Sequence, residues 1–273
     1  MIGLRLKRVL ITGAAHGFGK AMAKRFADRG AEVVLTDLHE EHLEATRQEL
    51  ADAGAACRAY VLDVTDGAAV LSVRERLHEE AGRVDVLVNN AGVVFGGAFL
   101  DVPLERHRLT YRVNVDGVLA MTHAFLGDVI ASPSGGLVFV ASASGFVGLP
   151  YGSSYASSKW SVIGLAESLR AELKHQGHRH VGVTTVCPTY LATGMFEGAT
   201  PPKTTKVMDP DEIAEKVVQA VEHRRVWVRE PFLAKLTPFL KHGLPTSVSD
   251  YLGDFFGATS SMKHWRGHDE SSG

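Results

Sequence analysis

A tyrosine and a lysine four residues apart form the pair of side chains best suited to acid–base chemistry. Tyr155 and Lys159 stand in the sequence Tyr-Ala-Ser-Ser-Lys, and residues four apart share one face of a helix. A free tyrosine, with a pKa of about 10, is a poor base at neutral pH, but a neighbouring ammonium group lowers that pKa. The pair therefore suggests a general acid/base. On an exposed helix the same string would be only a solvated phenol beside a solvated amine.

Three glycines near the N-terminus could leave room for a dinucleotide. Gly13, Gly17 and Gly19 stand between a short apolar run and a helical pattern. Because glycine has no side chain, the N–H groups of such a loop and the positive end of the next helix can reach a pyrophosphate. A glycine-rich loop is often just a tight turn, but its place between a predicted strand and a predicted helix favours the dinucleotide interpretation.

An aspartate ends the next apolar run. Asp37 lies eighteen residues after Gly19, where a carboxylate can accept hydrogen bonds from both hydroxyls of an adenosine ribose and would repel a 2′-phosphate. Positions 16 and 38 hold His16 and Leu38, so neither supplies a Lys or Arg for such a phosphate. We therefore predict NAD as the cofactor. The alternative for Asp37 is a cap on the following helix.

Further polar residues follow apolar runs in a fixed order. Ser142 comes directly after 137–141 and thirteen residues before Tyr155, while Asn90 follows an earlier apolar run and Asn114 lies further on. In this order and spacing, together with the glycine-rich loop, the chain resembles the classical short-chain dehydrogenase/reductase family. The resemblance extends over about residues 6–230, and the combination of motifs is highly specific.

The resemblance implies a role for each catalytic residue. Tyr155 would be the general base, and Lys159 would lower its pKa and bind the nicotinamide ribose. Ser142 would hold the substrate oxygen, and Asn114 would position a water that links Lys159 to solvent. The loop and the resemblance together predict cofactor contacts at Gly13, His16, Gly17, Phe18, Gly19, Asp37, Leu38, Asp63, Val64, Asn90, Ala91, Gly92, Tyr155, Lys159, Pro188, Leu191 and Thr193.

The chain departs from the family pattern at three positions near the predicted cofactor. Pro188 and Thr193 match the loop after the sixth strand, but Thr189 replaces the family's glycine there. Because of this substitution, the family pattern does not determine the backbone path of the loop. Phe18 stands where an aliphatic residue is usual, and His16 is an unusual occupant of its loop.

Two further groups of polar residues are interpreted as structural. The serines beside the catalytic motifs would cap and pack a helix start. Three clustered histidines lie in a polar connection without a fourth ligand, so we predict a solvated loop there and no metal site. The serines are Ser144, Ser153, Ser154, Ser157 and Ser158, and the histidines are His175, His178 and His180.

Short β-branched runs alternate with longer helical patterns, which is typical of parallel strands joined by crossover helices. We predict the α/β class, with a single Rossmann-type, doubly wound, seven-stranded parallel sheet and helices on both faces. Two predicted helices, 20–29 and 40–53, are each closed by a glycine. The predicted strands are 8–12, 32–37, 56–61, 84–89, 137–142, 182–187 and 226–228.

The C-terminal part has a different character. We predict a dinucleotide-binding and catalytic domain over 1–230, and an apolar extension over 231–273 packed on the same domain. Three prolines and many large apolar residues within 231–257 predict short broken helices. So much apolar surface would cover the pocket mouth, a partner subunit or a membrane surface, or complete the core. Residues 268–273 are polar and are expected to fray.

Composition excludes several classes of protein. The net charge of -2, without a long basic run, argues against a nucleic-acid partner. Cys57 and Cys187 are the only cysteines, which excludes a disulfide framework and fits a reducing compartment, so we expect a cytoplasmic protein. No uninterrupted apolar run reaches the length of a membrane span, which leaves at most peripheral membrane contact. We also expect a homo-oligomer.

The segments expected to shape the substrate pocket are rich in apolar residues. They are 93–100, 146–151, 190–206 and the C-terminal part, and they predict a lipophilic alcohol or carbonyl substrate. The tail bears a weaker resemblance to those of retinol, hydroxysteroid and long-chain alcohol dehydrogenases. The expected activity is NAD-dependent interconversion of an alcohol and its carbonyl. Two alternatives stay open: a carbonyl reductase working chiefly in the reducing direction, and a catalytically silent NAD-binding scaffold.

Overall fold

Seven strands form one parallel sheet in the order β3-β2-β1-β4-β5-β6-β7. The structure, a computed structural model, describes residues 2–202, 205–231 and 243–267. The strands are β1 (Arg8–Thr12), β2 (Glu32–Asp37), β3 (Cys57–Val61), β4 (Val86–Asn89), β5 (Gly136–Val140), β6 (Gly182–Pro188) and β7 (Trp227–Glu230).

Helices connect the strands and cover both faces of the sheet. A π-helical segment, Arg112–Gly117, joins α4 to α5, and a 3₁₀ turn, Ala143–Gly145, follows β5. The α-helices are α1 (Gly17–Asp28), α2 (Glu40–Asp52), α3 (Gly67–Glu80), α4 (Leu104–Tyr111), α5 (Val118–Ala131), α6 (Ser153–His175), α7 (Pro210–Glu222) and α8 (Thr246–Phe256).

The strand order reverses at β1. The chain first builds outwards from β1 to β3 and then continues with β4 on the other side of β1, so that Ile11 pairs with both Leu35 and Val88. The crossover connections diverge at such a point and leave a crevice at the carboxyl ends of the strands, where ligands of open α/β sheets bind. The glycine-rich loop after β1 and the loop after β4 border this crevice.

Side chains alternate between the two faces along the central strands, as the two-residue repeat of a strand requires. In β5, Val138 packs on one face, whereas Leu137 and Phe139 pack on the other. Phe26 of α1 and Val217 of α7 cover the first face, and α3, α5 and α6 cover the second. Burial on both faces explains why these strands read as nearly continuous apolar runs.

The predicted fold class and its seven strands are confirmed, with small shifts at the strand ends. β5 ends at Val140 instead of continuing to Ser142, because Ser142 already caps the 3₁₀ turn. β7 begins one residue later than predicted and extends to Glu230. The two glycines predicted to close helices, Gly30 and Gly54, have φ of 77° and 84°, a left-handed conformation that glycine adopts without steric cost.

One helix of the C-terminal part is described. This helix is α8, and the residue that caps its C-terminal end is Gly257, whose φ of 78° is again left-handed. The broken helices predicted within 232–242, and the fraying predicted for 268–273, fall outside the described residues.

One helical stretch has the length and composition of a membrane span. Residues 104–131 form 28 consecutive helical residues whose most apolar window has a mean hydropathy of 1.2. Half of that window is buried inside the protein, as is usual for a core helix, so the stretch is weak evidence for a span. Polar residues such as Asn114 interrupt its apolar residues, which is why the sequence pattern did not single it out.

Candidate active site

Tyr155 and Lys159 lie on the first turns of α6 and face the protein interior. Tyr155 is 5% exposed and Lys159 is 4% exposed. Gly145 after β5 passes so close to α6 that a Cβ there would lie 2.5 Å from Ile163 and 3.0 Å from the Lys159 carbonyl oxygen. This close packing brings the start of α6 against the end of β5. Tyr155 lines a cavity of about 960 Å³.

Ser142 lies beside Tyr155 in the same cavity. It caps the 3₁₀ turn, and its Oγ accepts a hydrogen bond from the Ser144 N–H at 3.2 Å. The Ser142 hydroxyl also lies close enough to the Tyr155 phenol to lower the pKa of that phenol. Because Ser144 occupies one acceptor position on the hydroxyl oxygen, the O–H of Ser142 remains available as a donor. Ser142 can donate this O–H to the Tyr155 phenol or to a ligand oxygen placed between the two residues.

The surroundings of Tyr155 and Lys159 differ from the prediction. Burial raises the pKa of Tyr155 well above its ordinary value, and the hydrogen bond with Ser142 opposes that rise. Lys159 donates from Nζ to the Val140 carbonyl oxygen at 2.9 Å and lies 5.6 Å from the centroid of the Tyr155 ring. Burial lowers the pKa of Lys159 to about 8. The structure therefore does not show the predicted lowering of the Tyr155 pKa by Lys159, because both groups are desolvated and the amine is directed at a carbonyl.

Asn114 occupies the π-helical segment between α4 and α5. Its side chain is fully buried, its Oδ1 accepts from the Val93 N–H at 2.8 Å, and its Nδ2 donates to the Val93 carbonyl and to Ser158 Oγ, each at 3.0 Å. A Cβ on Gly92 would lie 3.2 Å from Asn114 Oδ1 and 3.3 Å from Lys159 Nζ. The two side chains thus lie close together on the same side of Gly92. Asn114 also ties the loop after β4 to α6.

The glycine-rich loop has the geometry of a dinucleotide cradle. Gly13 and Gly17 have φ of 63° and 55°, and a Cβ on Gly19 would lie only 1.9 Å from the Gly13 carbonyl oxygen. These three positions therefore require glycine. Asn90 braces the loop, because its Nδ2 donates to the carbonyls of Thr12 and Gly13 at 2.9 and 3.0 Å.

The loop runs into the amino end of α1 at the crevice. His16 provides no side-chain cap for α1, so this helix end suits the pyrophosphate of a dinucleotide. A Cβ on Gly17 would meet Thr193 at 3.2 Å, which places the loop after β6 across the same end of the helix. Phe18, predicted to contact the cofactor, is buried in the core beside Met22. Its side chain packs the base of the loop.

Asp37 joins the glycine-rich loop to the turn after β2. Its carboxylate accepts from the Ala15 N–H at 3.0 Å and from the His39 N–H at 3.1 Å, and the residue is 8% exposed. Each oxygen keeps a second acceptor position, so the group can still bind ribose hydroxyls. Leu38 beside it is exposed and apolar. The first residue before α2 is His39, which offers no side-chain cap.

The remaining predicted cofactor residues border the same crevice. Asp63 accepts from the Thr65 N–H at 2.8 Å and is exposed, whereas Val64 is buried against Gly117, where a Cβ would approach it to 2.6 Å. Ala91 donates its N–H to Thr12 Oγ1 at 3.0 Å. Pro188 is the last residue of β6, and Leu191 is buried and bridged to Met208. A dinucleotide thus fits the donors, acceptors and glycines found here.

Aromatic residues pack around Tyr155 at one end of the cavity. The Phe196 ring makes edge-to-face contacts with Tyr155 at 5.7 Å and with Tyr190 at 5.3 Å between centroids. Met262 is buried in the same cluster. The Trp265 indole packs beside them and donates to the Met195 carbonyl at 3.1 Å. The C-terminal segment therefore forms part of the wall next to Tyr155.

The rest of the cavity wall is mainly apolar. α8 covers it with one of its faces, which includes Ser249, Gly253 and Phe256. Other lining residues come from the turn before α6, from α6 itself and from the loop after β6, and include Val147, Leu149, Pro150, Trp160, Tyr190 and Phe196.

The structure brings the four predicted catalytic side chains together and adds residues that sequence reasoning missed. Trp160 donates from Nε1 to the Ser144 carbonyl at 2.7 Å and so fixes the turn that carries Ser142. Gly96 is in contact with Trp265. In the sequence, the adjacent glycines at 96 and 97 were the one feature that could have indicated this close approach of Trp265 to the backbone.

Comparison with known proteins identifies the family to which this chain belongs. The short chain dehydrogenase family model matches residues 7–204. Mouse (Mus musculus) epidermal retinol dehydrogenase 2 is 37% identical over 254 residues, which cover 90% of this chain and 82% of the relative.

Two solved structures extend the similarity. A short-chain dehydrogenase/reductase from Burkholderia phymatum in complex with NAD has a TM-score of 0.82 and 28% identity, and the match covers 89% of this chain and 95% of that one. An alcohol dehydrogenase from Thermococcus sibiricus complexed with 5-hydroxy-NADP has a TM-score of 0.72 and 29% identity, with 82% and 94% covered. This chain belongs to the classical short-chain dehydrogenase/reductase family and is an oxidoreductase.

Proposed function

We propose that the protein oxidises a lipophilic alcohol to its carbonyl compound with NAD as the hydride acceptor. The observation that carries this proposal is the placement of Ser142 and Tyr155 side by side in a mainly apolar cavity of about 960 Å³. The pair supplies groups that can hold and deprotonate an alcohol oxygen. The surrounding wall offers apolar contacts to the rest of a bulky molecule.

Each of the four candidate catalytic residues has a separate role in proton transfer. Ser142 donates its O–H to the substrate oxygen and thereby stabilises negative charge on that oxygen. The Ser144 N–H holds the Ser142 hydroxyl in place by donating to Oγ. Tyr155 takes the hydroxyl proton as general base in its phenolate form, once its own proton has left. Bound nicotinamide supplies the acceptor for the hydride that leaves the carbinol carbon. Lys159 and Asn114 both lie beside Gly92, and Lys159 would pass the proton to a water positioned by Asn114.

NAD is favoured over NADP by the end of β2. The Asp37 carboxylate would accept the ribose hydroxyls and repel a 2′-phosphate, and Leu38 next to it carries no charge. The relative from Burkholderia phymatum was solved with NAD, whereas the enzyme from Thermococcus sibiricus was solved with an NADP derivative. The acidic group at Asp37 supports the first of these cofactors for this chain.

The substrate class follows from the cavity wall and from one relative. Leu149, Trp160 and Phe256 present large apolar surfaces to the cavity, and the 37% identical mouse protein is named a retinol dehydrogenase. These features support a bulky apolar alcohol over a small polyol. The convergence of Ser142, Tyr155, Lys159 and Asn114 favours an active enzyme over a silent NAD-binding scaffold.

Initial rates with NAD and with NADP test the proposal. The alcohols would include a retinoid, a sterol, a long-chain primary alcohol and small polyols such as glycerol and sorbitol. We expect NAD-dependent turnover of a bulky apolar alcohol and little turnover of the polyols. Measuring the reverse reaction with NADH and the corresponding carbonyl determines the preferred direction. Better turnover of polyols than of apolar alcohols would refute the substrate class.

We further propose a cytoplasmic homo-oligomer with peripheral membrane contact at most. Exposed apolar side chains on α4 and α5 support association between subunits, and they include Leu104 and Leu119. Exposed Tyr251 and Phe255 on α8 are the residues suited to membrane contact. Light scattering coupled to gel filtration, followed by co-sedimentation with liposomes, tests both points.

A further inference from the structure

A second cavity, which we call the α4–α6 groove, lies between α4 and the start of α6. It has a volume of about 700 Å³, and its lining includes Phe99, His107 and Ser154. None of the four predicted catalytic residues lines it. Tyr111 and Ser157 line both this groove and the larger cavity, and the Tyr111 hydroxyl donates to Ser157 Oγ at 2.8 Å. The two cavities therefore meet at this hydrogen bond.

The α4–α6 groove contains a serine in hydrogen-bond contact with a histidine. Nδ1 of His107 lies 2.5 Å from Ser154 Oγ, and Nε2 of the same ring lies 3.0 Å from the Phe99 carbonyl oxygen. Because a carbonyl oxygen can only accept, Nε2 is assigned the hydrogen, and Nδ1 of the neutral ring is then an acceptor. Ser154 therefore donates its O–H to a basic nitrogen. A hydroxyl bonded to a base that a third group orients is the arrangement of nucleophilic catalysis.

Phe99 holds the imidazole of His107 in two ways. Its carbonyl oxygen accepts from Nε2, and its ring stacks on the imidazole with 4.6 Å between centroids and 27° between planes. The imidazole is thereby fixed with Nδ1 towards Ser154. A neutral carbonyl orients the ring but stabilises an imidazolium less than the carboxylate of a Ser-His-Asp triad does, so we expect slow turnover.

Ser154 is accessible from the α4–α6 groove and lies at a helix start. The residue is 9% exposed, compared with 6% for Ser142 in the larger cavity. It is the second residue of α6, and the residue before this helix, Gly152, makes no side-chain cap. The first N–H groups of a helix have no partner within the helix, and N–H groups aimed at a developing oxyanion stabilise it. The nucleophile and donors for an oxyanion therefore come from the same helical turn.

We propose that Ser154 and His107 form a second catalytic centre, which hydrolyses carboxylic esters. Ser154 Oγ attacks the ester carbonyl carbon while His107 Nδ1 takes the serine proton. The bond to the leaving alcohol breaks, His107 gives the proton to the alcohol oxygen, and the acyl group stays on Ser154. Water, with His107 again as the base, then releases the acid and restores the serine. No nucleotide takes part, so this activity is independent of the proposed oxidation.

The α4–α6 groove favours an ester with an apolar acyl chain. Phe99 is 61% exposed and Tyr111 is 42% exposed, and both residues line the groove. Their rings offer apolar contacts to a chain that extends from the ester carbonyl next to Ser154. p-Nitrophenyl octanoate is a suitable probe, because its leaving group is coloured and its acyl chain is unbranched.

Covalent labelling of the unmodified protein gives the first test. A fluorophosphonate forms a P–O bond to an activated serine and releases hydrogen fluoride, and tandem mass spectrometry of the digested protein locates the label. We expect the label on Ser154 and slower labelling in the presence of p-nitrophenyl octanoate. This measurement needs no substitution and so does not depend on the folding of a variant. No label, or a label only on other residues, would overturn the second centre.

Hydrolysis rates without nucleotide give the second test. Ser154→Ala removes the nucleophile, and His107→Gln keeps a hydrogen-bonding side chain but has no basic nitrogen. Each variant should lower the rate of p-nitrophenyl octanoate hydrolysis by about a hundredfold, or to the uncatalysed rate. Ser168→Ala is the matched control, because Ser168 is an exposed serine of the same helix that lines neither cavity. Equal hydrolysis by Ser154→Ala and Ser168→Ala would reject the role of Ser154.

The two activities fail separately. If no alcohol is oxidised with either nucleotide, the proposed function fails, whereas labelling of Ser154 and ester hydrolysis are measured without nucleotide and are judged by themselves. If the unmodified protein oxidises an alcohol but hydrolyses the octanoate no faster than buffer does, the second centre is rejected and the proposed function stands.

Discussion

The Trp265 indole lies directly against the backbone of Gly96, where a Cβ would come within 2.8 Å of ring atoms Cδ2 and Cε3. The same indole donates to the Met195 carbonyl oxygen at 3.1 Å. A side chain near the C-terminus therefore connects the loop after β4 with the loop after β6. Residues of both loops pack in one cluster with Tyr155, so the contact holds the two loops together beside this residue.

The variant Gly96→Ala should weaken binding of bulky substrates. The added methyl group would push Trp265 away, and overpacking of this kind lowers folding stability by about 1–3 kcal/mol. The displaced indole should also raise the KM for bulky substrates. We expect the KM for NAD to change little, because the glycine-rich loop lies elsewhere in the crevice. Steady-state kinetics provide the measurement. Gly127→Ala is the matched control, since nothing lies within 4 Å of a Cβ at that position; similar kinetics for both variants would contradict the role of the contact.

Replacing the candidate base should abolish most turnover and spare cofactor binding. Tyr155→Phe removes the hydroxyl that lies beside Ser142 but keeps the ring that packs on Phe196. We expect kcat to fall by about a hundredfold or more, with NAD affinity measured by calorimetry close to that of the unmodified protein. Tyr60→Phe is the control, because Tyr60 bonds Glu80 on the far side of the molecule. Substantial residual kcat in Tyr155→Phe would remove this residue from the mechanism.

The convergence of the candidate catalytic residues was predictable because local rules determine it. Tyr155 and Lys159 are one helical turn apart, and Ser142 follows a strand whose apolar run is plain in the sequence. Parallel strands bring their carboxyl ends to one edge, so residues that follow such runs converge. The glycine requirement at Gly19 likewise follows from a close approach within a single loop.

The contact between Trp265 and Gly96 was not predictable to the same degree. Trp265 and Gly96 are far apart in sequence, and no periodic pattern links them. The protonation behaviour of Tyr155 also depends on burial and on the direction of the Lys159 amine towards Val140, neither of which is visible in spacing. Phe18 shows a third reason: its place in the motif was clear, but only packing shows that its side chain enters the core.

Lys159 should make folding stability depend on alkaline pH. Burial lowers its pKa from 10.5 to about 8 in the folded protein. Between these values the unfolded chain binds the proton that the folded chain has lost, so the contribution of Lys159 to the free energy of unfolding rises with pH in this range. Tyr155 and Cys187 act in the opposite direction, because burial raises the pKa of each.

Comparison with Lys159→Met isolates the lysine. Urea unfolding of both proteins, without added nucleotide, should be measured from pH 7 to pH 10. We expect the unmodified protein to gain stability relative to Lys159→Met above about pH 8, where the buried amine is neutral. A constant difference across the range would show that the Lys159 pKa is not lowered.

The carboxylate of Asp37 should decide which nucleotide is used. Asp37→Ser removes the negative charge and one of the acceptors that bond the Ala15 and His39 N–H groups. We expect NAD to bind about tenfold more weakly, because charged hydrogen bonds to the ribose are lost, and NADP to bind more tightly, because repulsion of its 2′-phosphate is relieved. The ratio of kcat/KM for the two nucleotides is the measurement. Asp66→Ser is the control: it makes the same change at the cap of α3, where serine can also cap the helix, and should leave the ratio unaltered. An unmodified enzyme that already prefers NADP would show that Asp37 serves only to hold the backbone of the loop.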